Sequence, residues 1–223
     1  MGRLGQDRMR DPLVNAPRAD VQVRHATPRH TEDAALRHAQ GSFGTGATLW
    51  FTGLPSAGKS TIAHALARRL ADDGRQVQVL DGDEVRPHLS SGLGYGREDR
   101  DVNVRRIGWV ARLLASHGVV VLVPVIAPYA DSRAAVRGDH VAAGVPFAEI
   151  YVSTALEVAE ARDVKGLYAK ARRGEITAMT GVDDPYEEPR TAELVLDTAQ
   201  VDLEVSVEMS QALLTAIGEK ELT

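Results

Sequence analysis

The sequence predicts an α/β protein with a doubly wound, mostly parallel sheet of five strands. Apolar runs of strand length alternate with amphipathic stretches of helix length, which is typical of successive βαβ units. The most apolar run, residues 119–126, has the continuous hydrophobic character of a central parallel strand. A glycine-rich turn follows the first predicted strand. In sheets of this class, such turns are where ligands bind.

The first 46 residues differ in composition from the rest of the chain. They are rich in Arg, His, Pro, Asp and Gly and contain few large apolar residues. We therefore predict a partly disordered N-terminal tail over 1–46, with a short helix over 31–40, and one domain over 47–223. The basic residues of the tail are interpreted as solvent-exposed, with a contact to phosphate or to a partner as the alternative.

The predicted domain begins with a βαβ unit. Residues 48–52 predict a buried strand, a helix is expected to start at Lys59, and Gly74 is expected to end it before a second strand over 76–80. The face of this helix that turns to the core is made by Ile62, Ala65, Leu66, Arg69 and Leu70.

The turn inside this unit fits the pattern G-x-x-x-x-G-K-[ST], which places the domain in the P-loop class. Its glycines let successive backbone N–H groups point at a phosphate. We expect Lys59 to reach the β- and γ-phosphates and the Ser60 hydroxyl to ligate Mg²⁺. A plain glycine-rich turn is the alternative. The predicted ATP-binding residues here are Gly53, Leu54, Pro55, Ser56, Ala57, Gly58, Lys59, Ser60 and Thr61.

An acidic pair, Asp81 and Asp83, ends the second predicted strand. The carboxyl end of a strand is where open α/β sheets bind ligands. Carboxylates beside a phosphate loop can position Mg²⁺ or accept a proton from a hydroxyl nucleophile. A simple polar turn is the alternative.

The later part of the chain predicts three further strands. A glycine- and charge-rich loop over the site is expected at 84–100. Strands are expected over 119–126, 147–152 and 193–197, and helices over 101–117, 132–143, 156–162 and 205–217. Because Pro124 cannot donate a ladder hydrogen bond, we place it at a bulge or near the end of its strand, beside the site.

Residues 163–190 form a basic segment interrupted by glycines, which favours a structured but mobile lid. Closing lids exclude water, as phosphoryl transfer requires. An ordinary surface excursion is the alternative.

Composition excludes several classes of function. The net charge of −5 argues against broad nucleic-acid binding. The absence of cysteine excludes disulfides, thiolate zinc sites and thiol catalysis. No apolar run has the length of a membrane span or the character of a signal-peptide core, so we expect a cytoplasmic protein that binds no membrane.

Within the P-loop class, the residues favour a kinase that acts on a small acceptor. The guanine-reading pattern Asn-Lys-x-Asp of GTPases is absent from the sequence. In a motor ATPase the acidic residue usually follows an apolar strand distant from the phosphate loop. Here the acidic pair follows the strand that comes directly after the phosphate-loop helix. The basic lid and the small size of the domain agree with this interpretation.

The chain resembles adenylyl-sulfate kinases, which use MgATP to phosphorylate the 3′-hydroxyl of adenylyl sulfate. The similarity runs from about Val21 to the C-terminus and rests on motifs in order and at family spacing. These are residues 46–54, 81–86, 93–95, 97–100, 103, 105–108, 126–129, 133, 162–172, 180–181 and 185–187. The stretch Arg162-Asp163-Val164-Lys165-Gly166-Leu167-Tyr168-Ala169-Lys170-Ala171-Arg172 is the most specific.

The resemblance implies where adenylyl sulfate would bind. Arg86, Arg100 and Asn103 would hold its phosphosulfate group, for which arginine forks are suited. Tyr95 would stack on the adenine, and Ile126 would line the same slot. Met179 stands on the opposite side, where the family usually has a lid phenylalanine.

The resemblance also implies the residues of the transfer. Asp83 would orient or deprotonate the 3′-hydroxyl near Mg²⁺, so the implied metal residues are Ser60 and Asp83. Lys165 would close on substrate and phosphates with the lid, and Arg162 would lie near the ATP base. The implied catalytic residues are Lys59, Asp83 and Lys165. A homodimer is implied as well.

Three residues depart from the family pattern. Tyr95 replaces the usual phenylalanine and can still stack. Met179 replaces a phenylalanine and would contact the ring more loosely, so we expect weaker substrate binding or reduced substrate inhibition. Ala127 replaces a serine that some members carry, which excludes a phosphoenzyme at this position and favours direct in-line transfer.

Two other functions stay open at this point. The first is a related P-loop kinase whose acceptor has changed to another nucleotide or small molecule, which only Tyr95 and Met179 favour. The second is a nucleotide-binding regulatory or scaffold subunit without catalysis. The intact Lys59, Ser60 and Asp83 argue against the second.

Overall fold

The computed structural model describes residues 46–219. Its strands are β1 (Ala47–Thr52), β2 (Val77–Val79), β3 (Val120–Pro124), β4 (Phe147–Val152) and β5 (Leu194–Leu196). Its helices are α1 (Lys59–Asp72), α2 (Gly82–Leu89), α3 (Arg97–Ala115), α4 (Ala130–Ala142), α5 (Leu156–Arg162), α6 (Leu167–Arg172) and α7 (Leu203–Glu219). The predicted tail, except for Gly46, and its helix over 31–40 lie outside the described residues.

These strands form one five-stranded sheet in the order β2-β3-β1-β4-β5, and every neighbouring pair is parallel. The predicted α/β class and strand number are confirmed. The connections run to opposite sides of β1, so the strand order reverses at its carboxyl end. This reversal opens a crevice in doubly wound sheets. The glycine-rich turn lies directly at it.

Two apolar cores cover the two faces of the sheet. Alternate residues of β1 point to opposite faces, as a pleated strand requires. Leu49 and Phe51 join the core that contains residues of α1 and α7, whereas Trp50 joins the one formed with α3 and α4. In the helix α3, Gly108 lies against Val136 of α4, where an added Cβ would come within 2.6 Å of a valine methyl. The helices can therefore approach closely at this point.

The prediction of a loop at 84–100 is wrong for most of this range. Residues 82–89 form α2, whose N-terminus is capped by Asp81, and α3 begins at Arg97 instead of 101. The density of glycine and charge is typical of a loop, but Glu98 and Asp99 lie in the first turn of α3, where carboxylates interact favourably with the helix dipole. Only residues 90–96 connect the two helices without regular structure.

Pro124 is the last residue of β3, which agrees with its expected place near a strand end. The strand β4 and the helix α5 have the predicted bounds, and Gly74 follows α1 with a positive φ of 75°. Among residues 46–219, no helix combines the length and the apolar character needed to cross a membrane.

Candidate active site

The glycine-rich turn curls tightly at the carboxyl end of β1. Gly53 has φ 149° and lies against the Val152 carbonyl of β4, so a side chain would collide there. Gly58 has φ 107° and forms the N-cap of α1. Both positions therefore need glycine. The turn leads straight into the N-terminus of α1, the end of a helix that attracts anions.

Lys59 is buried in this turn, with 7% of its surface exposed. Its Nζ donates hydrogen bonds to the carbonyl oxygens of Gly53 at 2.9 Å and Leu54 at 2.7 Å. Burial lowers the Lys59 pKa from 10.5 to about 7, against the opposing charges of Asp81 and Asp83. The ammonium group is therefore poorly neutralised by the protein itself, which favours binding of an anion beside it.

Ser60 and Asp81 form the oxygen-rich part of the site. The Ser60 hydroxyl donates to Asp81 Oδ2 at 2.5 Å, and Asp81 Oδ1 accepts the backbone N–H of Asp83 at 3.0 Å. Within residues 46–219, no group of three or more His, Cys, Asp or Glu side chains converges on a metal site. This set still fits Mg²⁺, which commonly takes one or two carboxylates together with substrate phosphates.

Asp81 was left out of the predicted metal residues, which were Ser60 and Asp83. The structure places the Asp81 carboxylate on the Ser60 hydroxyl, whereas the Asp83 carboxylate forms an ion pair with Lys165 of the lid segment. The residues themselves already indicated both carboxylates of the acidic pair, because they follow β2 at the ligand-binding edge of the sheet, whereas the resemblance implied Asp83 alone.

A second group of predicted residues forms a cleft made by α2, α3 and the connection between them. The Arg86 guanidinium lies 4.3 Å from the ring centroid of Tyr95 and donates to the carbonyls of Leu93 and Gly94. Arg100 is 9% exposed and donates to the carbonyl of Tyr95 at 2.6 Å. Two arginines therefore flank one exposed aromatic ring.

The floor of this cleft contains an unsatisfied polar atom. The side-chain oxygen Oδ1 of Asn103 is buried and has no hydrogen-bond partner in the structure. A buried acceptor without a partner is costly, so a donor supplied by a ligand would stabilise it. Opposite, the Ile126 carbonyl accepts the Thr52 hydroxyl at 2.6 Å, which holds the chain after β3 against the end of β1.

The lid segment, predicted over 163–190, contacts the phosphate loop directly. Tyr168 of α6 donates its buried hydroxyl to the Pro55 carbonyl at 3.1 Å, and burial raises the Tyr168 pKa to about 12. Arg162 donates to the hydroxyl of Thr198 at 2.7 Å and to its carbonyl at 2.9 Å. The Tyr168 contact places the lid segment beside the loop, and Arg162 lies directly before that segment.

Met179, the predicted substrate contact on the lid side, borders the cavity and is also part of an apolar cluster. It is 5% exposed and packs with Ala159 and Tyr168 in this cluster of the lid. Its thioether therefore contributes to the lid's own packing.

One cavity of about 810 Å³ joins the phosphate loop, the cleft and the lid. It contains most of the predicted site residues, whereas Gly53, Leu54 and Ala57 of the loop do not border it. Those that line it are Pro55, Ser56, Gly58, Lys59, Ser60, Thr61, Asp83, Arg86, Tyr95, Arg100, Asn103, Ile126, Arg162, Lys165 and Met179.

A sequence model of the family described as Adenylylsulphate kinase matches residues 45–197. The chain belongs to the adenylyl-sulfate kinase family. The matched range contains the phosphate loop, the cleft and the lid segment described above.

Individual relatives agree with this assignment. The adenylyl-sulfate kinase of Picosynechococcus sp. is 51% identical over 176 residues, which cover 78% of this chain and 96% of that protein. The adenylyl-sulfate kinase of Myxococcus xanthus is 56% identical over 162 residues, covering 71% of this chain and 87% of that protein.

Solved structures of the family share the fold. The Mycobacterium tuberculosis APS kinase, determined in complex with AMPPNP and APS, has a TM-score of 0.75 and 44% identity; the match covers 77% of this chain and 99% of that one. The hexameric APS kinase from Thiobacillus denitrificans has a TM-score of 0.60 and 38% identity, covering 84% of this chain and 33% of that one.

Proposed function

We propose that this protein transfers the γ-phosphoryl group of ATP to the 3′-hydroxyl of adenylyl sulfate, giving 3′-phosphoadenylyl sulfate and ADP. The observation that carries the proposal is the single cavity in which a phosphate loop and an arginine-flanked aromatic cleft meet at Asp83. Family membership supports the same substrates.

ATP would bind with its phosphates in the turn before α1. Lys59 would exchange its hydrogen bonds with the Gly53 and Leu54 carbonyls for contacts to phosphate oxygens. Arg162, held by Thr198 beside the loop, would lie near the base. Binding to an anion would also relieve the unfavourable burial of the ammonium group.

Adenylyl sulfate would occupy the cleft. Its double anion matches the guanidinium groups of Arg86 and Arg100, which form bidentate hydrogen bonds to such groups. The exposed ring of Tyr95 offers a stacking surface for adenine, and Ile126 borders the same space. A substrate group that donates a hydrogen bond would satisfy the buried side-chain oxygen of Asn103.

Asp83 would act as the general base. As the 3′-oxygen forms its bond to the γ-phosphorus, the bond from that phosphorus to the β–γ bridging oxygen breaks, and the hydroxyl proton passes to the Asp83 carboxylate. Lys165 already reaches this carboxylate from the lid segment. It would help to hold the acceptor and the phosphates together. Ala127 offers no hydroxyl for a phosphoenzyme at this position, which favours direct transfer.

Mg²⁺ would be held by Ser60 and the Asp81 carboxylate, with Asp83 close by. When bound there, it would neutralise phosphate charge that develops during transfer. The hydrogen bond between Ser60 and Asp81 supports this location, because it brings together two oxygen groups of the kind that Mg²⁺ prefers as ligands.

We also propose the homodimer that the resemblance implies and the cytoplasmic location expected from the sequence. Sedimentation equilibrium of the full chain tests the first, and fractionation of the source cells tests the second.

ADP release with and without adenylyl sulfate, with the product identified by mass, tests the proposed reaction. We expect acceptor-dependent turnover that falls at least about a hundredfold in Lys165→Met, because a positioned charge near the transferred group is lost. Lys170→Met is the matched control, since Lys170 is an exposed lysine of the same segment. ATP binding without turnover on adenylyl sulfate would refute the proposal and favour a changed acceptor.

A further inference from the structure

Arg133, near the N-terminus of α4, joins two separate segments behind the cavity. It is 4% exposed. Its Nη1 donates to the Ala127 carbonyl at 2.7 Å, and its Nη2 donates to the Glu187 carbonyl at 2.6 Å. The first segment, 126–128, lines the cavity, and the second is the return of the chain from the lid.

The charge of Arg133 is balanced from a third direction. Its Nε lies 2.7 Å from Glu149 Oε1 on β4, and Glu149 is itself buried. Arg137 approaches the other oxygen of Glu149 at 3.5 Å but directs its main hydrogen bonds to Glu193. The planar guanidinium of Arg133 therefore contacts three different chain segments through its separate N–H groups.

The backbone that Arg133 holds is unusual. Ala127 has a φ of 42°, which lies in the left-handed region that residues with a side chain rarely adopt. Such a conformation persists only when surrounding contacts impose it. The Arg133 hydrogen bond to the carbonyl of Ala127 is one such contact.

The lid return is attached to the same place by further hydrogen bonds. The Glu187 N–H donates to the Pro128 carbonyl at 2.8 Å, and the Glu187 carboxylate accepts the Ala130 N–H at 2.7 Å. Tyr129 donates its hydroxyl to both carboxylate oxygens of Asp184 at 3.0 Å. Movement of residues 126–128 would therefore be accompanied by movement of the base of the lid.

We propose that Arg133 is a positioning residue for the acceptor: it holds the cavity wall at 126–128 and the base of the lid in one geometry. This inference rests on the proposed function, because Ile126 of this wall is assigned to the adenylyl-sulfate cleft. Arg133 has no hydrogen bond to the phosphate loop, whose Lys59 and Ser60 contacts lie within that loop and to Asp81. Its loss should act on the acceptor and leave ATP binding largely intact.

Two variants distinguish a role of Arg133 in positioning the acceptor from a role in the stability of the fold alone. Arg133→Lys keeps the charge but places all its donors on one nitrogen, so it loses the spread of Nε, Nη1 and Nη2 that matches the three segments. The double variant Arg133→Met with Glu149→Met removes both buried charges together and so avoids leaving either one unpaired, as the single change would. Arg137→Met is the matched control, because Arg137 also pairs with Glu149 but has no hydrogen bond to Ala127 or Glu187.

Steady-state kinetics and thermal denaturation are measured on the full-length variants. We expect the KM for adenylyl sulfate to rise about tenfold in both test variants and the KM for ATP to stay within about twofold, as the loss of one hydrogen bond to a charged group implies. The control should keep the wild-type KM for both substrates.

An unchanged KM for adenylyl sulfate in both test variants would overturn the inference, as would an equal rise in both KM values. A rise that simply follows the loss of thermal stability across all three variants would make Arg133 a structural residue only. Absence of acceptor-dependent turnover in the wild-type protein would instead refute the proposed function.

Discussion

The proposed function assigns Lys59 to phosphate binding, yet its burial should destabilise the nucleotide-free protein. The perturbation that tests this is Lys59→Met, which keeps the length of the side chain and removes its charge. The Lys59 pKa falls from 10.5 to about 7 because the ammonium group is buried. At 1.36 kcal/mol for each pKa unit, this difference corresponds to about 5 kcal/mol of destabilisation when the lysine is protonated in both states.

The substitution also removes two hydrogen bonds, to the carbonyls of Gly53 and Leu54. At about 1 kcal/mol each, their loss offsets about 2 kcal/mol of the gain. Lys59→Met should therefore raise the free energy of unfolding by about 3 kcal/mol at pH 6. For a domain of this size, this is an increase in Tm of about 6 to 12 °C.

The pH dependence of this gain has a definite sign. The folded-state pKa of Lys59 lies below its unfolded value, so the unfolded chain binds more protons between pH 7 and 10.5. Wild-type stability therefore rises with pH through that window, relative to the variant. The advantage of Lys59→Met should be complete below pH 7 and should fall by about 1.4 kcal/mol for each pH unit above it. Because the two hydrogen bonds stay lost at every pH, the advantage should reach zero at about pH 9, and the variant should be the less stable protein above that.

The assay is thermal denaturation without nucleotide at pH 6, 8 and 9.5, with Lys170→Met as the control for removing an exposed lysine. The control should change Tm little at any of these pH values. A Lys59→Met protein that is less stable than wild type at pH 6, or whose stability difference is the same at all three pH values, would refute the reasoning. Acceptor-dependent turnover should be lost in this variant.

Three further changes test other parts of the site. Asp83→Asn should lower kcat by about 10² to 10⁴, as the loss of a general base implies, with the KM for ATP unchanged in steady-state kinetics. Tyr168→Phe removes the hydrogen bond to the Pro55 carbonyl and should lower the unfolding free energy by about 1 kcal/mol, measured by urea denaturation. Gly181→Ala should destabilise by about 1 to 3 kcal/mol, because φ is 87° and the new Cβ would meet a leucine methyl at 2.9 Å. Gly174 has φ 70° and open space around it, so Gly174→Ala should lose only the stability that the strained backbone costs. An equal loss of stability in both variants would exclude a contribution from the collision with leucine.

Features with a local cause could be predicted from the sequence. The bounds of β4 and α5 and the start of α1 at Lys59 follow from apolar periodicity and from the phosphate-loop pattern. The error at 84–100 also has a local cause: the density of glycine and charge outweighed the capping residue Asp81 and the acidic first turn of α3. In this region the helix-start signals were the better guide.

The sequence by itself determined the fold class, the phosphate loop and the family of this protein, because each depends on periodicity within single elements or on short motifs and their order along the chain. Tertiary structure decided which carboxylate meets Ser60, that Met179 packs inside the lid, and that Arg133 ties Ala127 to Glu187. These contacts join segments between 6 and 54 residues apart. Periodicity and spacing describe only the faces of single helices and strands, whereas such contacts depend on how several elements pack in space.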